Sequence, residues 1–498
     1  MILNHRAQRA VLAVSFTVLG VVYLAAWLAP TLAVDHESGV NLVLAKALAA
    51  RHGYVLDNLP EPVAETGVPP VFPALLALFA FVSTAAQWLK IVPLGCAVGW
   101  LWLTRRLLLR MGASDGSSWL LVGLTAISPM VIFLSTNLLP ETLFAMLATA
   151  TLLRLLDDKP LVAGALAGLA TLTLAAGAPL IAACILTLAM RSRFRSALIF
   201  AGVAMAMVAP WSGWSLAHLT HATYLNADDR VPTNILMGLA ANEKLIVASR
   251  NLVAFFSGPI ELMTGGFRSP YGAAALALVT IWCLWVRRQL VPDLFVALYG
   301  FTLMFFIWPP ERLVAAVLPM ILWIAWRAFR LVRSKEAIAA VVLIVIGIAL
   351  WADGTRLPAL VRSGVFPEQE AAANEWSAMR PLLAAVKTKT SAGSVVLTNA
   401  DGMVWAVTGR KTVRGFTADG YNLFYTERQA TVTPDEISSA ILREQVNYVV
   451  VTPDEGEAES ASFHRAVEAL EHGGVLRPVE VDGLKPGYEL WHVEAAGW

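Results

Sequence analysis

The feature that most constrains this fold is a series of apolar runs, each about as long as a bilayer span. We place them at about residues 10–32, 88–108, 118–136, 138–155, 160–176, 178–190, 196–217, 271–286, 290–308, 312–328 and 336–352. Crossing a bilayer takes about 20 apolar residues, and only a helix satisfies its backbone groups within one such segment. Charged residues make up 15% of the chain, against about a quarter in soluble domains. We therefore predict an α-helical polytopic membrane protein with about 11 transmembrane helices.

Basic residues test this arrangement because positive charge concentrates in cytoplasmic loops. Six clusters fall on one predicted side: Arg6 and Arg9; Arg105, Arg106 and Arg110; Arg154 and Lys159; Arg191, Arg193 and Arg195; Arg287 and Arg288; and Arg327, Arg330, Arg333 and Lys335. This pattern predicts a multi-pass protein of the cytoplasmic (inner) membrane, with a cytoplasmic N-terminus and an uncleaved first span. The net charge of +1 gives no case for binding nucleic acid.

Residues 70–86 are also apolar, but a further span there would invert every later loop. We therefore predict an interfacial or re-entrant segment, with a true span as the open alternative. The outer side then receives loop 33–87, the turn at 137–141, loop 218–270, the turn at 308–312 and everything after residue 353. Residues 1–352 would form the transmembrane module.

The tail at 353–498 has a different character, with short β-rich runs that alternate with helical patterns. Residues 394–398, 447–452 and 488–493 are predicted strands, and residues 434–443 and 462–472 are predicted amphipathic helices. This alternation predicts a small C-terminal extracytoplasmic α/β domain.

Acidic residues at the predicted outer ends of spans are the candidate chemical groups. Asp35 and Glu37 directly follow the first span, where a carboxylate near lipid is costly. They could instead cap the following helix at 38–51, which we predict to be amphipathic and to lie along the interface. Glu141 begins a helix after Pro140. It could orient an acceptor, hold a metal or complement the helix dipole.

Several motifs, in order, resemble the GT-C superfamily of membrane glycosyltransferases. This group includes the protein O-mannosyltransferases, the aminoarabinose transferase of lipid A and the RgtA/B/C/D-like bacterial enzymes. The motifs are Asp35-His-Glu37, Leu44 to Tyr54, Pro69-Pro70-Val-Phe-Pro73, Ser135 to Phe144 with its Pro140-Glu141, Ala163 to Thr173, and Glu311-Arg312 followed by Pro319.

The sequence also departs from the family pattern. Asn41 occupies the place of a usual Tyr, and no Arg follows the helix that ends near Leu174. Aligning on Leu44 assigns the family's catalytic acid to Glu37, whereas aligning on the end of the first span assigns it to Asp35. Both remain candidates.

The resemblance implies a polyprenyl-phosphate sugar donor, a lipid, glycan or protein acceptor, and surrounding membrane lipids as partners. It implies transfer with inversion, with a carboxylate as general base and a cation that stabilises the leaving phosphate. Arg312 is the first candidate for that cation, since guanidinium binds phosphate bidentately, although it could be an interfacial anchor paired with Glu311. Lys244 and Arg268, with Arg230 and Arg250, are further candidates.

His218 and His221 lie about one turn apart and are candidate metal ligands. An interfacial pair without metal is the alternative, so a divalent cofactor is left open. Two other functions are also weighed: a lipid or glycan transporter (flippase), and a non-catalytic subunit of a cell-envelope glycan assembly complex. A transporter would need charges deep within spans or broken helices in matching halves.

Overall fold

The computed structural model describes residues 19–28, 36–218, 238–264, 289–306, 310–330, 367–414, 432–453 and 458–494, together with isolated positions between them. The predicted span at 336–352 and most of that at 271–286 lie outside these residues, as do Asp35, His221 and Arg268.

Helices dominate the described chain. They are Leu19–Leu28, His36–Ala49, Val71–Ala80, Ala86–Leu89, Ile91–Arg110, Asp115–Ala126, Pro129–Thr136, Glu141–Leu156, Pro160–Thr171, Ala178–Met190, Phe194–His218, Ala241–Thr264, Leu290–Met304, Glu311–Val314, Leu318–Phe329, Pro367–Lys389, Asp401–Thr408, Pro434–Glu444 and Ala458–His472, with 3-10 turns at Ala175–Gly177 and Ala315–Val317.

Two helices in the described part are long and apolar enough to cross a bilayer: Gln87–Arg110 and Phe194–His218. A third candidate is the pair Asp115–Ala126 and Pro129–Thr136, which is bent by 65°. The bend occurs because Pro129 lacks an N–H and forces Ser128 out of the helical conformation. The total of about 11 spans therefore stays a prediction. Helix Val71–Ala80 has 10 residues, too few for a span.

Large apolar side chains are exposed along the Phe194–His218 helix. Leu198 and Leu216 are 74% and 70% exposed, and Met205 is exposed on the same helix. Such a surface is costly in water and favourable against lipid tails.

Polar contacts join the ends of the helices into two separate groups. At one end, Arg110 Nη2 lies 2.9 Å from Asp157 Oδ1, Arg193 pairs with Asp158, and Gln289 Nε2 donates to the Met111 carbonyl at 2.8 Å. All these residues belong to or adjoin loops predicted to be cytoplasmic. The grouping agrees with the predicted sidedness, while the compartment that this end faces stays a prediction.

Helix His36–Ala49, called here the loop-one helix, differs from its prediction. It was expected to be amphipathic at the membrane interface, yet residues 38–45 are all buried. The reason is that helix Asp401–Thr408 covers the side that would otherwise face water. The loop-one helix is therefore packed between the helical bundle and the C-terminal part of the chain.

Residues 367–494, called here the C-terminal unit, contain a five-stranded sheet. Its strands are β3 Val395–Thr398, β4 Lys411–Val413, β5 Tyr448–Val451, β6 Leu476–Pro478 and β7 Glu489–Val493, in the order β4-β3-β5-β7-β6. A separate small hairpin pairs β1 Val55–Leu56 with β2 Val63–Ala64. Strand β3 is parallel to β4 and β5, and β7 is antiparallel to β5 and β6.

Alternate residues of the sheet belong to two different cores, as the two-residue repeat of a strand requires. Leu397 and Val449 pack with Phe463 under the amphipathic helices. Val396 and Val450 belong to the large core that continues into the helical bundle. The three predicted strands and two predicted helices are found to within a few residues. The extracytoplasmic position and the domain boundary at 353 remain predictions.

Candidate functional site

Three charged residues from distant parts of the sequence meet at the end of the bundle opposite the Arg110–Asp157 contact. Arg312 Nη2 donates to Glu37 Oε2, and Arg312 Nε lies 2.5 Å from Glu141 Oε1. One guanidinium therefore bridges two carboxylates. The sequence named all three residues as candidates, and the structure brings them together.

Each of the three lies in the first turn of a helix. Glu37 is near the start of the loop-one helix, Glu141 follows Pro140, and Arg312 lies two residues after Pro310. A proline before the helix fixes the entry of the chain. Positive helix N-termini favour the two carboxylates, so local sequence and helix dipoles both direct the acids to this end.

Neighbouring contacts fix the relative positions of these helices. Asn41 Nδ2, one turn after Glu37, donates to the Leu138 carbonyl at 3.1 Å, just before Glu141. The Tyr299 hydroxyl donates to the Leu313 carbonyl at 3.2 Å, next to Arg312. Its ring stacks on Phe144 with centroids 5.9 Å apart. The cluster is thus held by packing and hydrogen bonds on all three sides.

The two carboxylates of the cluster differ in solvent exposure. The Glu141 side chain is 1% exposed, whereas those of Glu37 and Arg312 are 34% and 30% exposed. An incoming molecule can therefore reach Glu37 and Arg312, but not Glu141. Within this cluster, Glu141 contacts the guanidinium of Arg312.

Lys90 is a buried cation that the sequence analysis did not select. It immediately precedes helix Ile91–Arg110 and is 1% exposed. That helix runs parallel to Glu141–Leu156, as two contacts show. Arg110 pairs with Asp157, and eleven residues earlier on each helix Gly99 faces Met146. This register places Lys90 at the same end of the bundle as Glu141, about 6 Å beyond it along the axis.

The segment between the loop-one helix and residue 70 folds back over this end of the bundle. The Tyr54 hydroxyl donates to the Val68 carbonyl at 2.7 Å, and Ser215 Oγ donates to the Thr66 carbonyl at 2.9 Å. Glu65 Oε1 accepts from the Gly67 backbone N–H at 2.7 Å. Burial, and secondarily the Glu65 charge, raises the pKa of Tyr54, so its phenol stays protonated as a donor.

Two further candidates among the described residues, Lys244 and His218, make other contacts. Lys244 lies in the first turn of helix Ala241–Thr264, and no ion pair found among the described residues joins it to Glu37 or Glu141. His218 stacks on Trp214 with centroids 3.7 Å apart, and its Nδ1 lies 2.9 Å from the Trp214 carbonyl oxygen. Within the described ranges, no three His, Cys, Asp or Glu residues are grouped to hold a metal.

Comparison with known proteins defines the fold class. The structure has the fold of the GT-C membrane glycosyltransferases, a class of multi-pass membrane proteins. No protein-family profile matches the chain, and no curated protein sequence matches it.

One solved structure that it resembles is the crystal structure of ArnT from Cupriavidus metallidurans bound to undecaprenyl phosphate. The TM-score is 0.62 at 13% identity, over 98% of this chain and 99% of that chain. The apo state of the same protein gives a TM-score of 0.53 at 13% identity, over 99% of both chains.

Proposed function

We propose that this chain is a glycosyltransferase. It moves a sugar from a polyprenyl-phosphate-linked donor to an acceptor at the outer face of the cytoplasmic membrane, with inversion. The observation that carries the proposal is the Glu37–Arg312–Glu141 cluster at one end of a helical bundle. The fold, which is similar to that of a protein bound to undecaprenyl phosphate, supports it.

Glu37 is the proposed general base. An acceptor hydroxyl attacks the anomeric carbon as the bond from that carbon to the phosphate oxygen breaks. The hydroxyl proton passes to Glu37, and polyprenyl phosphate leaves with the bond electrons. A single displacement of this kind inverts the anomeric centre and needs one base within hydrogen-bond reach. Glu37 fits this role better than Glu141 because it is the exposed carboxylate of the two.

Arg312, which is partly exposed, is the proposed partner of the donor phosphate, and the positive charge of the buried Lys90 is proposed to favour phosphate binding without contact. With Arg312 between two carboxylates, the cluster carries a net charge of −1, which repels an anionic donor on its own. A second cation at the same end of the bundle would offset that charge across the protein interior, and the buried Lys90 is the proposed source. A donor phosphate would then compete with Glu37 for Arg312 and release the carboxylate as a base.

Glu141 is proposed to position Arg312. A buried carboxylate 2.5 Å from Nε fixes the plane of the guanidinium. A guanidinium that is already fixed loses less conformational entropy when it binds phosphate. In this view Glu141 never contacts the acceptor.

The proposal is tested with purified protein in lipid nanodiscs that is supplied with a polyprenyl-phosphate sugar and candidate acceptors. Glu37→Gln should lower the rate of transfer by about 10²- to 10⁴-fold, whereas Asp158→Asn, an exposed site at the other end of the bundle, should retain it. Full activity of the Glu37→Gln protein would remove the base assignment.

Two further outcomes of the same preparation separate the alternatives. Movement of labelled lipid between leaflets without sugar transfer would identify a transporter. Transfer that requires the C-terminal unit but not Glu37 would favour the third alternative, in which loop 33–87 is not catalytic.

A further inference from the structure

The loop-one helix presents two opposite faces to two different parts of the chain. Glu37 and Asn41 are four residues apart and share one face, which meets Arg312 and the Leu138 carbonyl. Gly39 follows Glu37 by two residues, or about 200° of rotation, and so points the other way. Lys46 follows Gly39 by seven residues and shares its face. The second face meets the C-terminal unit.

Two glycines allow the backbones to touch on that second face. A Cβ atom added to Gly402 would lie 2.8 Å from the carbonyl carbon and 3.0 Å from the Cα of Gly39. A Cβ atom added to Gly39 would meet the Gly402 Cα at 3.4 Å. Helices His36–Ala49 and Asp401–Thr408 therefore cross at backbone contact, a distance that no other residue type permits at Gly402.

Polar contacts extend this crossing on both sides. Lys46 Nζ donates to the Ala406 carbonyl at 2.6 Å and lies 5.4 Å from the Trp405 ring centroid. Burial lowers the pKa of Lys46, in keeping with an amine enclosed by the second helix. Further along, the Thr412 backbone N–H donates to the Asn58 carbonyl at 2.7 Å.

We propose that Gly39 and Gly402 are positioning residues: their contact lets the C-terminal unit hold the loop-one helix where Glu37 meets Arg312. The proposal rests on the proposed role of Glu37. The C-terminal unit then acts on the reaction through the orientation of a carboxylate on the far side of a helix, apart from any contact that it makes with an acceptor.

The expected effect follows from the geometry. Carbon atoms in contact lie about 3.5 Å apart or more, so a methyl group at residue 402 must push the two helices apart by about 0.7 Å. A displacement near 1 Å in a reacting group lowers the rate by about 100-fold. We expect the Gly402→Ala protein to lose about 10- to 100-fold in kcat, with the donor KM changed by less than about 3-fold because Arg312, the proposed phosphate ligand, lies outside the shifted helix.

Gly393→Ala is the matched control, because a Cβ atom there meets nothing within 4 Å in the same C-terminal unit. It should keep full activity. In a Glu37→Gln background, Gly402→Ala should cause less than about 2-fold further loss, since the group that it displaces is already inert. Equal losses in both backgrounds, or full activity of the Gly402→Ala protein, would overturn the proposal.

A measurement without catalysis separates this proposal from the proposed function. Hydrogen exchange of residues 36–49 should accelerate in the Gly402→Ala protein and not in the Gly393→Ala protein. If the wild-type chain transfers no sugar but this difference is seen, the proposed function fails and the positioning contact stands. If Gly402→Ala prevents folding, Lys46→Met provides the test because it removes the contact to Ala406. Hydrogen exchange of residues 36–49 should then accelerate by a smaller factor. Unchanged exchange in Lys46→Met would refute the coupling.

Discussion

The bridge between Arg312 and Glu141 makes a quantitative prediction about stability. Replacing Arg312 with Met removes the cation that neutralises a carboxylate that is 1% exposed. Breaking a buried pair from one side costs about 3–5 kcal/mol. Because the Arg312 side chain is 30% exposed and water screens part of the interaction, we expect a loss of about 2–3 kcal/mol.

The partner substitution should be milder. Glu141→Met leaves Arg312 paired with Glu37 and open to water, so we expect a loss of less than about 1 kcal/mol. Combining Arg312→Met with Glu141→Met leaves no carboxylate of this pair in the interior and replaces both groups with side chains of similar length. Such double replacements are often nearly neutral, so the double variant should regain most of the stability that Arg312→Met loses.

Two buried cysteines can report unfolding for the double-mutant cycle of Arg312 and Glu141. Cys96 and Cys184 are buried free thiols, and a thiol-reactive dye labels them only as the protein unfolds. With Cys283 replaced by Ala, the melting temperature should fall by about 2–3 °C for Arg312→Met in a chain of this length and recover in the double variant. A double variant as unstable as the sum of the two single variants would refute a coupled buried pair at this site.

Three further predictions concern other charges. Glu37→Gln should lower kcat by about 10²- to 10⁴-fold without changing the melting temperature, because that carboxylate is one-third exposed; transfer and dye assays on one preparation check both. Lys90→Met removes a buried positive charge and should weaken binding of polyprenyl phosphate while the protein stays folded, as measured by titration in nanodiscs; undiminished binding would show that the charge of Lys90 does not contribute. Asp293→Asn removes the carboxylate that neutralises the buried guanidinium of Arg327 and should cost about 3–5 kcal/mol, whereas Asp158→Asn at an exposed pair should cost less than about 1 kcal/mol.

The site residues that the sequence could identify share a local signal. Glu37, Glu141 and Arg312 are charged groups beside apolar helices, two of them preceded by prolines, and predicted sidedness places them at the same end. What the sequence left open was whether Arg312 is an interfacial anchor paired with Glu311 or part of the site. Two of its partners are Glu37, 275 residues away, and Glu141 on another helix, and only tertiary packing brings these groups together.

Two features were missed because their local patterns resemble commoner ones. Lys90 precedes an apolar helix, where a lysine usually marks the membrane boundary, yet it is 1% exposed. The loop-one helix was expected to have a water-facing side. Its run of Val40, Leu42, Val43 and Leu44 is apolar all round, which is typical of a helix enclosed on every side.

The contact between the loop-one helix and the C-terminal unit has a consequence for how the protein is made. Lys46 and its partner Ala406 are 360 residues apart, and ribosomes add about 5–20 residues per second. The helix that carries Glu37 therefore leaves the translocon about 20–70 s before its covering surface exists. During that interval its apolar residues need another binding partner, either the lipid headgroups or a chaperone. A segment synthesised 360 residues later therefore completes the packing of the helix that carries Glu37.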